Sequence, residues 1–143
     1  MQELVGKAKE LSDLAELRWH FIGHLQRNKV KDVLPIASLV QAVDRLELAQ
    51  EINKRATKRV PVLIEVNLAG EEQKAGFKPA ELGEVLAAAE HFKALRIYGL
   101  MTMAPLDSDP ERARPVFREL FQLRQRFIDR NYKNVNLKYL SMG

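Results

Sequence analysis

The polar residues best placed to contact a small ligand lie around the apolar run at Arg18–Ile22. His20 lies within this run, and the turn after it contains Gly23, His24, Gln26 and Asn28. An imidazole can bind a ligand or exchange a proton near neutral pH, although His20 is equally compatible with a partly buried histidine paired with backbone groups. Two histidines four residues apart, with no third ligand nearby, do not predict a metal site.

Asn67 follows the most continuously apolar run of the chain, Val60–Val66. Its amide can donate and accept hydrogen bonds at once, which suits a ligand hydroxyl or carbonyl. A turn-forming asparagine is the alternative. Lys74, in the same loop, is a candidate for binding a phosphate or carboxylate, or a solvated lysine.

Two further segments carry candidate ligand contacts. Met101 and Met103 follow a β-branched run and suit an apolar wall against a planar ligand, or simply a core. Ser141, Met142 and Gly143 end the sequence after another such run. A hydroxyl and glycine amides at a strand end can bind phosphate oxygens.

Several chemistries are excluded or unsupported. The chain has no cysteine, so disulfides, thiolate zinc sites and cysteine nucleophiles are absent. No Ser-His-Asp arrangement follows from the spacing, and no carboxylate pair stands apart from the surface acids. The residues alone therefore predict a small-ligand-binding α/β domain.

Five short runs rich in β-branched or aromatic residues predict the strands that would position these groups. They are Arg18–Ile22, Leu39–Val43, Val60–Val66, Arg96–Met101 and Leu137–Ser141. Helical spacing of apolar residues predicts helices at Pro110–Arg130, capped by Asp109, at Pro79–Phe92, and after Asp44, with Glu47 completing a capping box.

The alternation of strands and helices predicts one parallel sheet with βαβ crossovers. Length favours an open, doubly wound sheet, because a (β/α)₈ barrel usually needs about 200 residues or more. Two observations favour a barrel fragment. No glycine-rich phosphate loop follows any strand, and the sequence ends on a strand with no helix to cover it.

Composition is that of a single folded domain, with 143 residues, 46% hydrophobic and 29% charged. No membrane-spanning segment or signal peptide is predicted, so we expect a cytoplasmic protein. The net charge of +4 is spread among acids, and no dense basic run or aromatic platform indicates nucleic-acid binding.

Four segments together resemble the pyridoxal-phosphate homeostasis family: WHFIGHLQRNKVK, VPVLIEVNLAGEEQKAGF, GLMTMAP and LSMG, in this order. The resemblance spans Gln2 to Gly143. It implies a (β/α)₈ barrel similar to the N-terminal domain of alanine racemase, of which this chain would supply about strands three to seven as one partial domain over residues 1–143.

The resemblance also implies a function, namely binding, carrying or buffering pyridoxal 5′-phosphate without turning over a substrate. The implied cofactor contacts are His20, Asn67, Met101, Ser141, Met142 and Gly143, with no catalytic residue and no metal. The family's Schiff-base lysine lies in a valine-serine-lysine segment that this sequence lacks, and its last strand would follow Gly143. We therefore expect a chain truncated at both ends that does not hold the cofactor covalently.

Two rival functions remain open. A pyridoxal-phosphate-dependent racemase-like enzyme would share the barrel but needs opposed acid and base groups and a second domain. A phosphate- or nucleic-acid-binding module rests on the net charge alone. Because a partial barrel exposes sheet edges, self-association is also expected.

Overall fold

The computed structural model describes residues 2–69, 75–106 and 109–143. The helices are α1 (Gln2–Glu10), α2 (Val30–Val33), α3 (Leu46–Arg55), α4 (Leu82–Ala88) and α5 (Ala113–Phe127). The strands are β1 (Trp19–Phe21), β2 (Ala37–Val43), β3 (Val60–Glu65), β4 (Leu95–Thr102) and β5 (Val135–Met142). Short 3₁₀ turns at Arg27–Lys29, Pro79–Glu81, Ala89–His91 and Pro110–Arg112 lead into or out of the helices.

All five strands are parallel, and their order in the sheet is β1-β2-β3-β4-β5. Each crossover therefore moves the chain to the next strand in the same direction, as in a (β/α) barrel. A doubly wound sheet would reverse direction partway. The order resolves the choice between an open doubly wound sheet and an incomplete barrel in favour of the barrel.

One face of the sheet is covered by helices. Val62, Ile64 and Leu100 pack there in the main core. The helices contribute buried side chains that include Leu48, Ile52, Leu86 and Leu120. On the opposite face, Ala42, Leu63 and Met101 form a smaller cluster. The near-continuous apolar sequence of β3 is explained by these two packed faces.

The face opposite the helices is concave. The Ser141 hydroxyl, on β5, donates a hydrogen bond to the Gln41 amide oxygen, on β2, at 2.6 Å. On a flat sheet these strands would lie about 14 Å apart, three strand spacings of about 4.8 Å. Only curvature toward this face allows the two side chains to meet, and we call it the concave face.

The predicted strands and the two later helices are confirmed, with small differences at their ends. Asp109 does cap the last helical segment, since its carboxylate accepts a hydrogen bond from the Glu111 amide at 3.0 Å. The capping box predicted for Asp44 is wrong. Arg45, not Asp44, is the N-cap of α3, and its side chain makes no capping bond. The Asp44 carboxylate instead contacts Arg45 and His24.

Candidate functional site

Four side chains form a row across the concave face at the carboxyl ends of β2 to β5. Glu65 pairs in register with Met101, and Met101 pairs with Ser141. Asp44 stands beside Glu65 because the residues preceding them, Val43 and Ile64, are partners. Parallel neighbours in register point to the same face of a sheet. The row Asp44, Glu65, Met101, Ser141 therefore lies at the end of the sheet where barrel proteins place their functional groups.

A hydrogen-bonded chain connects the two outer strands of the sheet through Gln41. The Gln41 side-chain nitrogen lies 3.0 Å from His20 Nδ1, and the Gln41 oxygen accepts the Ser141 hydroxyl proton. Gln41 is buried, so its two hydrogen bonds are made in an environment with little competing water. His20 and Ser141, predicted separately from sequence, are thus joined by a residue that sequence reasoning did not select.

The floor beneath this chain is apolar. Leu63 and Met101 are almost fully buried and pack with Ala42, while Leu39 and Tyr98 pack against their edge. Met101 is therefore a core methionine that forms the floor of the candidate site, and Leu39 and Tyr98 are the partly buried apolar side chains of this face.

Asp44 is the anchor of a small charged network beside the row. Its carboxylate accepts hydrogen bonds from the Arg45 guanidinium and lies 3.1 Å from His24 Nδ1. Arg45 also donates to the backbone oxygen of Leu25 at 2.9 Å, which ties the loop after β1 to the end of β2. His24, expected from sequence to be a surface residue of the turn, is exposed but contacts a buried carboxylate.

Glu65 is a buried acid in the middle of the row. It is 8% exposed, and its carboxyl makes no hydrogen bond or ion pair to any residue within the described ranges. Burial raises the pKa of Glu65, the negative charge of Asp44 raises it further, and His24 acts in the opposite direction. Glu65 and Asp44 are a carboxylate pair on the concave face, so the expectation that no such pair stands apart from the surface acids is wrong.

Asn67 lies just beyond β3, where a backbone clasp fixes its position. The backbone N–H of Asn67 donates to the backbone oxygen of Phe77 at 2.9 Å, and the backbone N–H of Phe77 donates to the backbone oxygen of Glu65 at 2.8 Å. Gly76 permits this clasp because its φ is 113° and a Cβ there would lie 2.8 Å from the Asn67 nitrogen. Lys74 falls outside the residues that the structure describes.

The end of β5 is held to β4 by backbone hydrogen bonds. Met142 pairs in register with Thr102, so by strand alternation its side chain points away from the face that carries Ser141. The Gly143 amide donates to the Thr102 oxygen at 3.2 Å. Of the predicted residues, His20, Met101 and Ser141 share the concave face, and Asn67 follows the end of its third strand. The Met142 side chain points away from this face, and the Gly143 backbone is hydrogen-bonded to Thr102 and Ala104.

The residues that sequence reasoning missed are Gln41, Asp44 and Glu65. A signal was present, since each is a polar side chain inside or directly after an apolar strand. Such a residue must either find a polar partner or face a site. No set of three metal-binding side chains occurs within the described ranges. The longest helix there, α5, has 15 residues, and none of the described helices could cross a membrane.

Comparison with known proteins assigns the chain to a lineage. A profile of the alanine racemase N-terminal domain family matches residues 4–143. The pyridoxal phosphate homeostasis protein of Aquifex aeolicus is 45% identical over the whole chain, and that of Mus musculus is 35% identical. The chain spans 63% and 57% of the lengths of these two relatives.

Solved structures agree. PipY of Synechococcus elongatus without pyridoxal phosphate superposes with a TM-score of 0.84 at 30% identity, covering 99% of this chain and 67% of PipY. PipY with pyridoxal phosphate bound superposes with a TM-score of 0.81 at 29% identity, covering 99% of this chain and 66% of that one. Alanine racemase of Clostridium difficile shares the fold, with a TM-score of 0.73 at 16% identity over 96% of this chain and 36% of its own.

Proposed function

The chain belongs to the alanine racemase N-terminal domain family, and we propose that it functions as a pyridoxal phosphate homeostasis protein, binding and carrying the cofactor without turning over a substrate. The observation that carries the proposal is the His20–Gln41–Ser141 chain, which lies on the concave face beside Met101. The similarity to PipY, which binds pyridoxal phosphate, supports the same ligand.

The residues on this face fit the cofactor's two parts. Leu39 and Tyr98, which are only partly buried on this face, offer an apolar surface to a planar ring, and ligand sites commonly combine such a surface with a few polar groups. The Ser141 hydroxyl lies at a strand end, where a hydroxyl donor can bind a phosphate oxygen. When bound, pyridoxal phosphate supplies an electrophilic aldehyde and an electron-withdrawing ring.

We assign the individual contacts as follows. Ser141 binds the phosphate at the strand end that Met142 and Gly143 complete, Met101 forms the floor beneath the ring, and His20 and Asn67 donate or accept hydrogen bonds at its edge. Gln41 holds His20 and Ser141 at a fixed separation. In this arrangement the Ser141 hydroxyl proton points to the Gln41 oxygen. The hydroxyl must therefore rotate before it can donate a hydrogen bond to a phosphate oxygen.

Within the described residues, no strand places a lysine in the row. Lys138 is the only lysine inside a strand of the described residues, and its ammonium lies 5.2 Å from the centre of the Tyr139 ring. It is solvent-exposed and three residues before Ser141. We therefore propose reversible, non-covalent binding of the cofactor by this chain.

The test is a titration of the chain with pyridoxal phosphate, followed by equilibrium dialysis and absorbance. We expect Ser141→Ala to weaken binding about tenfold, the loss of one hydrogen bond to a charged phosphate. Ser38→Ala is the matched control, because Ser38 is exposed and its hydroxyl donates to the Trp19 oxygen at 3.0 Å, away from the row.

Equal binding by wild type and Ser141→Ala would contradict the placement of the phosphate. A stoichiometric adduct on one lysine after borohydride treatment would contradict non-covalent binding. Racemisation of an added L-amino acid, followed by chiral chromatography, would replace the carrier function with the racemase-like one.

The proposal extends to partners and location. The edge strands β1 and β5 each pair on one side only within the described sheet, which supports self-association, a property that sedimentation at two concentrations tests. Several surface cations are matched to acids, such as Lys7 to Glu3 and Arg114 to Glu111, which disfavours nucleic acid as a partner. A cysteine-free chain of this kind is consistent with the cytoplasm.

A further inference from the structure

The middle of the row contains a buried acid whose hydrogen-bonding capacity is unused. Glu65 is 8% exposed, and its side chain lies on the concave face, in register with Met101. It has no hydrogen-bond donor among the residues that the structure describes. A buried carboxyl without a donor is unfavourable, so a ligand that supplies one is stabilised there.

The charges around Glu65 indicate what kind of donor fits. Asp44 stands one strand away, and the two basic neighbours, Arg45 and His24, are directed at Asp44 instead of Glu65. Arg45 directs another of its N–H groups to the Leu25 oxygen. Glu65 therefore has no basic side chain directed at it within the described ranges, and a positive donor from the concave face complements its carboxylate.

The neighbours of Glu65 limit the shape of that donor. Met101 and Leu63 are apolar and lie next to it on the same face. No third metal-binding side chain joins the two carboxyls within the described ranges, which disfavours a metal ion. An ammonium group attached to a short alkyl chain fits these neighbours, because it gives N–H donors to the carboxyl and places no second polar group against the apolar side chains.

We propose that Glu65, with Asp44 beside it, forms a binding subsite for the ammonium group of a small primary amine. The subsite lies two strands from Ser141, about 9 to 10 Å across the sheet, within reach of a second small molecule bound at the strand ends. The inference goes beyond cofactor binding, and it would give a cofactor carrier a place for the amine that receives or competes for an aldehyde.

The probe is n-propylamine hydrochloride, titrated into the chain without pyridoxal phosphate at constant ionic strength. The readout is the carboxyl ¹³C signal of Glu65 in protein labelled at glutamate, assigned by its loss in Glu65→Gln. We expect a saturable shift, and we expect the pKa of Glu65 to fall on amine binding, because a bound cation favours the ionised carboxyl.

Controls separate a specific subsite from general charge attraction. Tetramethylammonium has the same charge but no N–H donor, so it should not saturate the Glu65 signal. In a calorimetric titration, Glu65→Gln should weaken propylamine binding about tenfold. Glu47→Gln, which removes an exposed acid from the start of α3, should leave binding unchanged.

Two results would overturn the proposal: no saturable shift of the Glu65 signal, or an equal response to tetramethylammonium. If Glu65→Gln failed to fold, the loss of the signal in Glu65→Asp would supply the assignment, and the fall in the pKa of Glu65 in the wild type would decide the question. Because the titration contains no pyridoxal phosphate, this inference and the proposed cofactor binding can each fail alone.

Discussion

Replacing Gly99 with alanine tests how closely the backbones of β4 and β5 approach each other. Gly99 on β4 pairs in register with Tyr139 on β5. A Cβ built at Gly99 would lie 1.9 Å from the Tyr139 oxygen, 2.7 Å from its carbonyl carbon and 3.0 Å from its nitrogen. All three are backbone atoms, so no side-chain rotation can relieve the overlap.

The magnitude follows from the distance that must be opened. Carbon and oxygen atoms approach to about 3.3 Å in sheets, so the strands would have to separate by about 1.4 Å at this point. That displacement takes neighbouring N–H···O bonds beyond hydrogen-bonding range. Losing about two of them at about 1 kcal/mol each, with about 1–3 kcal/mol of overpacking, gives a loss of about 3–5 kcal/mol in the free energy of unfolding.

The assay is urea unfolding followed by circular dichroism and by the fluorescence of Trp19, the single tryptophan. The loss of about 3–5 kcal/mol is a large share of the total expected for a domain of this size. Gly6→Ala is the matched control, since Gly6 lies in α1 with nothing within 4 Å of an added Cβ. That variant should gain about 0.5–1 kcal/mol from helix propensity.

A Gly99→Ala protein within about 1 kcal/mol of the wild type would refute this reasoning, because a loss that small corresponds to no more than one hydrogen bond. It would mean that β4 and β5 lie farther apart than the structure has them, and that the position of Ser141 relative to Met101 must be revised. A loss of stability in Gly6→Ala as large as that in Gly99→Ala would refute the assignment of the effect to the sheet.

Two further predictions concern other parts of the chain. Asn134 has a φ of 67°, and its side chain donates a hydrogen bond to the Ala89 oxygen at 3.0 Å. In urea unfolding, Asn134→Gly should lose about 1 kcal/mol of stability for the hydrogen bond, and Asn134→Ala should lose about 2 kcal/mol because alanine is also strained at this φ. Equal losses would exclude backbone strain as a contribution. Burial raises the pKa of Glu65 in the folded state, so the folded chain binds this proton more tightly than the unfolded chain does. In the wild type, the stability that the bound proton contributes is lost as the pH rises from about 4.3 through the raised pKa. Glu65→Gln has no such proton to lose. The stability advantage of Glu65→Gln should therefore grow between pH 4 and pH 7 in urea midpoints, and a constant difference would contradict the raised pKa.

The elements could be predicted from sequence because each strand is marked by a short run rich in β-branched or aromatic side chains. The barrel order could not be predicted in this way, since the same runs and helices suit either sheet topology. Residues at strand ends, such as Met101 and Ser141, could also be selected from sequence as candidates, because functional groups gather where parallel strands end.

Gln41, Asp44 and Glu65 were missed for a physical reason. Strict alternation assigns a face to each strand residue, but the pairing of β2 with β3 is irregular between Val40 and Val43. Such an irregularity changes which residues face inward without changing composition. The register between β2 and β3 therefore decides which face of the sheet Gln41 points to and how far along its strand Asp44 lies relative to Glu65. Only the assembled sheet defines that register.

The same assembly links ligand binding to the stability of the sheet. Gln41 and Ser141 are 100 residues apart in sequence, and with His20 they connect strands from one edge of the described sheet to the other. A ligand bound across these strands contacts groups that lie together only when the sheet is curved. It therefore stabilises the folded chain by RT ln(1 + [L]/Kd), about 2.7 kcal/mol at a concentration of 100 Kd. Cofactor binding at Ser141 should consequently raise the urea midpoint, and it should do so less in any variant that separates β4 from β5.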